Sequence, residues 1–283
     1  MIPASFDYSR PSSVDEAVAA LAAAGEDAKV LAGGQSLLPL LRLRLAAPSV
    51  VVDLGGIAEL RGVREDGDDL VIGSMTTHAT VLRDPLVAQH APLLAQATAT
   101  VADRQVRHLG TFGGSLAHAD PASDLPAVAL AVDAVFEIAG PGGRRSVPAA
   151  EFFVDYLTSA LAADEVLTAV RVPKRSGWTS HYEKFNRTAQ SWSMVAIAAA
   201  VRTEGGTIAE ARVGLSNMGA TPLRARGVEE ALVGQPATAE AVRAAAERVT
   251  EGTAAPSDAD AASDYREHLA RVLTGRAVLA AVG

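Results

Sequence analysis

The chain has 283 residues, 49% of them apolar and 20% charged, with a formal net charge of −8 and no cysteine. That length suits about two domains, and the missing cysteines exclude disulfides, thiolate nucleophiles, zinc–thiolate sites and a resident iron–sulfur cluster. The acidic balance argues against nucleic-acid binding, which depends on clustered Lys and Arg to release counterions.

Two basic spots, Arg42 with Arg44 and Arg171 with Lys174 and Arg175, read as solvated faces. The first eight residues lack the charged start and apolar core of a signal peptide. The longest apolar stretches, 128–135 and 194–201, are too short for a membrane span. A cytoplasmic protein with no transmembrane segment is expected.

In chain order, Ser13 and Glu16 form a capping box ahead of Val14, Ala17, Val18 and Leu21, which share one helical face, and Gly25 is placed to stop that helix. A strand over 28–32 follows, then Gly33-Gly34-Gln35-Ser36, a helix over 37–45 with Pro39 in its first turn, and a strand over 49–53. This order is a βαβ unit, which favours a parallel pair and a right-handed crossover. Short strands at 62–64 and 70–73 flank Asp66-Gly67 as a hairpin turn. A long helix is predicted over 92–106, a glycine-rich loop over 110–115 and a helix over 124–132.

Strands at 135–139 and 145–147 form a hairpin closed by Gly140-Pro141-Gly142-Gly143, and a strand over 166–172 ends at Pro173. Lys174-Arg175-Ser176-Gly177 marks the domain boundary, giving domains 1–175 and 176–283, the first divided near residue 57. Beyond it, strands at 180–187, 195–201 and 211–216 suggest an antiparallel sheet, and alanine-rich helices span 226–232, 239–250 and 261–275.

Two segments carry candidate chemistry. Ala32-Gly33-Gly34-Gln35-Ser36 sits between a strand and a helix, where glycines admit positive φ and backbone N–H groups favour anions. Read alone, the same residues make a tight turn with Ser36 as N-cap. No Gly-Lys-Ser/Thr follows, so this is not a Walker A loop, and it lacks the G-x-G-x-x-G spacing of an ordinary Rossmann site. The second segment begins Thr111-Phe112-Gly113-Gly114-Ser115 and runs through His118, Asp120 and Asp124. It offers backbone and hydroxyl donors to phosphates and a carboxylate to sugar or ribityl hydroxyls. Its aspartates also suit a turn (Asp120) and a helix start (Asp124). Two glycine-rich anion sites suit one ligand with an extended diphosphate, and FAD is the natural case.

In these segments the chain resembles the FAD-binding medium subunits of the xanthine dehydrogenase and carbon monoxide dehydrogenase family, the molybdenum hydroxylases. The resemblance also takes in Phe6-Asp7-Tyr8-Ser9-Arg10-Pro11, Leu167-Thr168-Ala169-Val170-Arg171-Val172-Pro173 and Tyr182-Glu183-Lys184-Phe185. It implies an α+β fold. An FAD-binding region has two subdomains, a small βαβ unit and a larger one with a mixed or antiparallel sheet. A C-terminal three-stranded antiparallel sheet with helices follows.

It also implies site residues. Val30, Leu31, Ala32, Gly33, Gly34, Gln35, Ser36 and Leu37 would wrap the diphosphate. Thr111, Phe112, Gly113, Gly114 and Ser115 would form the second flavin loop. Asp124 would hold cofactor hydroxyls, Leu167 would give backbone contacts near the adenine, Lys184 would lie near the flavin's polar edge, and Val101 is a further contact. Phe112 and Ser115 depart from the family's usual Ile and Asn, which bears on packing near the isoalloxazine and on the flavin potential.

The implied partners are a molybdopterin-binding large subunit and an iron–sulfur small subunit, assembled as a dimer of heterotrimers. Electrons would pass from the partner's clusters through FAD to a quinone, NAD or another acceptor. The alternatives are a stand-alone FAD-dependent oxidoreductase acting on a small molecule, and a scaffold that has lost its cofactor. The six histidines show no metal-binding spacing, so no metal is expected on this chain. Trp192 reads as a core or interface anchor or as a shield over the flavin.

Overall fold

The computed structural model describes residues 2–283, and its first unit is the expected βαβ crossover. Strands Ala28–Leu31 and Val50–Asp53 pair in parallel, joined by helix Leu37–Leu43. A third strand, Asp7–Ser9, which the sequence pattern did not reveal, pairs in parallel with the other edge of Val50–Asp53. Helix Val14–Ala24 is built as its sequence dictates: Ser13 accepts the Glu16 N–H, and Gly25 ends the helix at φ 70°. The Glu16 carboxylate reaches back to the N–H of Ser12, one residue before the position a capping box uses. The buried face of this helix packs on Val52, Leu54 and Ile57, each large aliphatic side chain contributing about 1.5–3 kcal/mol.

The second unit holds a five-stranded antiparallel sheet in the order Val63–Asp66, Asp69–Gly73, Val166–Pro173, Val135–Gly140, Gly143–Pro148. Asp66 pairs with Asp69, so the first hairpin turns on Gly67-Asp68, one position later than expected, with Gly67 at φ 58°. The helix expected over 92–106 is two helices, Pro92–Thr100 and Arg104–Leu109. The break has local causes. Ala102 takes φ 39°, Asp103 caps the second helix through the N–H groups of Gln105 and Val106, and Arg107 Nη1 donates to the Val101 and Ala102 carbonyls. Two helices not anticipated, His78–Arg83 and Pro85–His90, start at the N-caps Thr77 and Asp84. Most of the glycine loop expected over 110–115 is the start of helix Phe112–His118, capped by Thr111; two helix-disfavouring glycines disguised it.

The C-terminal sheet contains the three expected antiparallel strands, Thr179–Phe185, Val195–Glu204 and Thr207–Ser216, and adds a two-residue fourth, Leu223–Arg224. Residues 195–201 of strand Val195–Glu204 are buried on both faces. Ala196, Ala198 and Ala200 join the core around helix Asp124–Ala131, while Val195, Ile197, Ala199 and Val201 pack toward helix Ser263–Val282. Contact is close enough that a Cβ on Gly214 would overlap the Ala127 carbonyl oxygen. The C-terminal sheet and the preceding region therefore share one core.

Candidate cofactor site

Gly34 holds φ 75°, a conformation natural to glycine, and the chain turns there into helix Leu37–Leu43. Gln35 Nε2 braces the turn by donating to the Gly33 carbonyl at 3.1 Å. Ser36 occupies the N-cap position of this helix, as the alternative reading has it, but its side chain makes no capping bond. Among the described residues, the backbone N–H groups of Gly33, Gly34, Gln35 and Ser36 find no protein acceptor. Successive unpaired N–H groups on a partly buried turn form an anion cradle.

The second glycine segment lies directly against the first. A Cβ on Gly33 would sit 2.6 Å from Gly110 Cα and 2.9 Å from Thr111 N. One on Gly114 would sit 2.6 Å from Thr111 Oγ1 and 3.2 Å from Ala32 Cβ. The glycines are thus required by the chain's own packing, before any ligand is considered.

The second segment's backbone donors are mostly taken. Phe112 N–H goes to Thr76 O (2.9 Å), Gly113 to Ser74 O (2.8 Å), and Gly114 and Ser115 to Thr111 Oγ1 and O (both 3.1 Å). This corrects the expectation that the loop offers its amides freely. Its groups without a protein partner, among the described residues, are the Thr111 N–H and the Ser115 hydroxyl.

Of the other expected residues, Val30, Leu31, Ala32 and Leu37 are partly buried around the first cradle. Phe112 is only 1% exposed and lies in the core, so its side chain has no surface to offer a flavin. Gly113 is pressed on Ser74, whose N–H donates to the Thr168 carbonyl (3.0 Å), and Leu167 is buried beside it in the central strand. These three hold the loop in place. Sequence reasoning missed Thr77, His78, Leu109 and Gly110. The His78 N–H donates to Gly110 O at 2.9 Å, and its imidazole lies against Gly110. Burial, with the Arg107 charge, pushes the pKa of His78 down to about 4, so the ring is neutral at pH 7.

Asp124 and Lys184 are brought together, and both are buried, with side chains 4% and 6% exposed. Lys184 Nζ lies 3.0 Å from each carboxylate oxygen and donates to the Thr100 carbonyl at 3.2 Å. Asp124 Oδ1 also accepts from Tyr182 (2.7 Å), Thr100 (3.3 Å) and Ser193 (3.4 Å). Burial and the Asp124 charge push the Tyr182 hydroxyl well above its ordinary range, which keeps it a donor. The neighbouring backbone is clasped from the C-terminal region: Ser216 Oγ donates to Ser123 O (3.0 Å) and Asn217 N–H to Pro121 O (2.8 Å). Asp124 is thus a seam residue with its acceptor capacity in use. Trp192 is 55% exposed, which excludes a core role. Among the described residues, no cluster of three or more His, Asp or Glu is placed to hold a metal, and no helix is long and apolar enough to cross a membrane.

Residues 4–175 match the FAD binding domain in molybdopterin dehydrogenase. The chain belongs to that family. Residues 180–281 match the CO dehydrogenase flavoprotein C-terminal domain. The chain is 42% identical to the carbon monoxide dehydrogenase medium chain of Hydrogenophaga pseudoflava, covering 99% of this chain and 98% of that one. It is 37% identical to the nicotine 6-hydroxylase medium subunit of Paenarthrobacter nicotinovorans, covering 97% and 96%. A solved carbon monoxide dehydrogenase from H. pseudoflava, which lacks the Mo-pyranopterin moiety of its cofactor, superposes with a TM-score of 0.97 at 43% identity, over 100% of this chain and 99% of that one. This family member is an FAD-binding oxidoreductase subunit, and its relatives are medium chains of multi-subunit complexes. The cradle fits a diphosphate: its unpaired amides are free for an anion, with no carboxylate among residues 30–37 to repel it.

Proposed function

We propose that Gly33, Gly34, Gln35 and Ser36, with the Thr111 N–H and the Ser115 hydroxyl, seat the diphosphate of FAD. Electrons would then pass from the iron–sulfur clusters of a small partner subunit, through the flavin, to an external acceptor. Bound FAD supplies the redox chemistry. The chain's own residues would bind and orient it, the amides neutralising the phosphates without a lysine. Asp124 and Lys184 brace the seam behind the site. At 3.3 and 3.4 Å, the Thr100 and Ser193 hydroxyls are the loosest partners of Asp124, so a cofactor hydroxyl would have to replace one of them to reach the carboxylate.

The clusters belong to a partner because this chain has no cysteine. The substrate belongs to a molybdopterin-binding large subunit. In support, medium chains from complexes named for carbon monoxide and for nicotine share 42% and 37% identity with this one. The assembly is a dimer of heterotrimers in the cytoplasm.

The four unpaired amides carry this reading. The test is a visible spectrum of the purified chain after incubation with FAD and removal of excess. Bound flavin gives the isoalloxazine absorbance near 450 nm at about one equivalent; a folded chain that stays colourless refutes the assignment.

A further inference from the structure

Gly110 is a glycine for want of space, since its backbone makes no demand for one. Its φ of −58° and ψ of 139° suit any residue. A Cβ on it would nevertheless lie 2.9 Å from His78 Cδ2, 3.3 Å from His78 Nε2 and 3.0 Å from the Val106 carbonyl oxygen. Gly33 of the cradle meets the same residue, because its own Cβ would lie 2.6 Å from Gly110 Cα. Gly110 therefore touches both the cradle and His78.

The backbone ties these segments together as well. Phe112 N–H donates to Thr76 O and His78 N–H to Gly110 O, both at 2.9 Å, and Thr77 faces Thr111 in an antiparallel bridge. In a pair of this kind the flanking residues make the bonds, and the paired residue turns its own N–H away from its partner. For Thr111 that direction is toward Gly33, whose Cβ would lie 2.9 Å from Thr111 N.

His78 is 4% exposed, and its Nδ1 is buried with no hydrogen-bond partner among the described residues. An unpaired buried nitrogen disfavours folding, and an aliphatic side chain of similar volume fills such a space without that penalty. What the imidazole adds is a thin, flat edge against which Gly110 can lie close.

The geometry points to His78 as a positioning residue for FAD: its ring edge sets the seat of Gly110 and so aims the Thr111 N–H at the diphosphate. The role rests on the FAD assignment above, and His78 acts through Gly110 and Thr111 rather than on phosphate.

The test is FAD titration of the full chain, followed by flavin fluorescence, beside thermal unfolding of the FAD-free protein. His78→Leu fills the space and removes the unpaired nitrogen, but puts a branched carbon against Gly110. Its unfolding midpoint is expected to match or exceed that of wild type, while its FAD dissociation constant rises about tenfold. A residue that only filled the core would move the two together. A second pair of variants reads the same contact should His78→Leu fail to fold. Gly110→Ala weakens FAD binding because its methyl meets the ring. In the double variant His78→Ala/Gly110→Ala that methyl enters the emptied space, so FAD binds more tightly than to Gly110→Ala alone. Recovery stops short of wild type because the Val106 carbonyl stays in place.

A dissociation constant for His78→Leu within about twofold of wild type overturns the proposal, and so does a double variant that binds FAD no better than Gly110→Ala. A wild-type chain that takes up no FAD instead refutes the cofactor assignment, and the positioning role falls with it.

Discussion

Lys184→Met tests the seam most directly. The substitution keeps the length of the side chain and removes its charge, leaving the Asp124 carboxylate buried with hydroxyl donors only. Removing one partner of a buried ion pair costs about 3–5 kcal/mol. Tyr182, at 2.7 Å, and the two weaker hydroxyls stay to solvate Asp124, so the lower end, about 3 kcal/mol, is expected. Asp124→Asn keeps an oxygen for Tyr182 and strands the Lys184 ammonium, for a similar loss. In the double variant neither charge is stranded, so its loss falls short of the sum of the singles by at least about 2 kcal/mol. The assay is urea unfolding at pH 7 of all four proteins, read as the shift in midpoint. Native stability of about 5–15 kcal/mol leaves each variant folded enough to measure. Additivity within about 0.5 kcal/mol refutes the coupling, and with it the role of this pair in holding the seam.

Gly33→Ala is expected to cost about 1–3 kcal/mol, because its Cβ meets backbone that cannot give way without moving the second loop; a flavin-free chain with unchanged thermal stability would show that the glycine serves only the ligand. Gly114→Ala pushes on the Thr111 hydroxyl that caps helix Phe112–His118, so flavin occupancy by absorbance and the unfolding midpoint should fall together.

For His78, the folded pKa of about 4 lies below the ordinary 6.5, so the unfolded chain binds more protons between those values. The stability from keeping this ring neutral is complete above about pH 6.5 and is lost as pH falls toward 4, by roughly 3 kcal/mol in all. In His78→Gln the decline in urea midpoint from pH 6.5 to 4.5 should be shallower than in wild type, and parallel curves would count against the buried ring.

The legible parts of the sequence were those whose signals are local. Ser13, Glu16 and Gly25 fixed the first helix at both ends, and β-branched runs such as residues 50–52 marked their strands. The two glycines at residues 33 and 34 were legible as a turn between a strand and a helix, whereas an anion cradle there was singled out only together with the second glycine segment and the family resemblance. What escaped depended on distant partners. The strand Asp7–Ser9 exists only because Val50–Asp53 offers an open edge. The break at Ala102 depends on Arg107 reaching back to two carbonyls. Gly33 looked like a residue kept clear for phosphate, and its contact with Gly110 shows that tertiary packing also demands it. Asp124 and Lys184 were both singled out, but nothing in their spacing announced that they meet.

Helix Asp124–Ala131 has no solvent side; every one of its residues is buried, between the five-stranded sheet and the C-terminal strands. Dividing the gene between the two matched family segments would therefore strip a wall from this helix and lay bare Leu125, Val128 and the alanines beside them. Neither fragment should be obtained as a well-behaved soluble species, and half-chain swaps with a relative will work only where the donor keeps small residues opposite Ala127, as Gly214 does here.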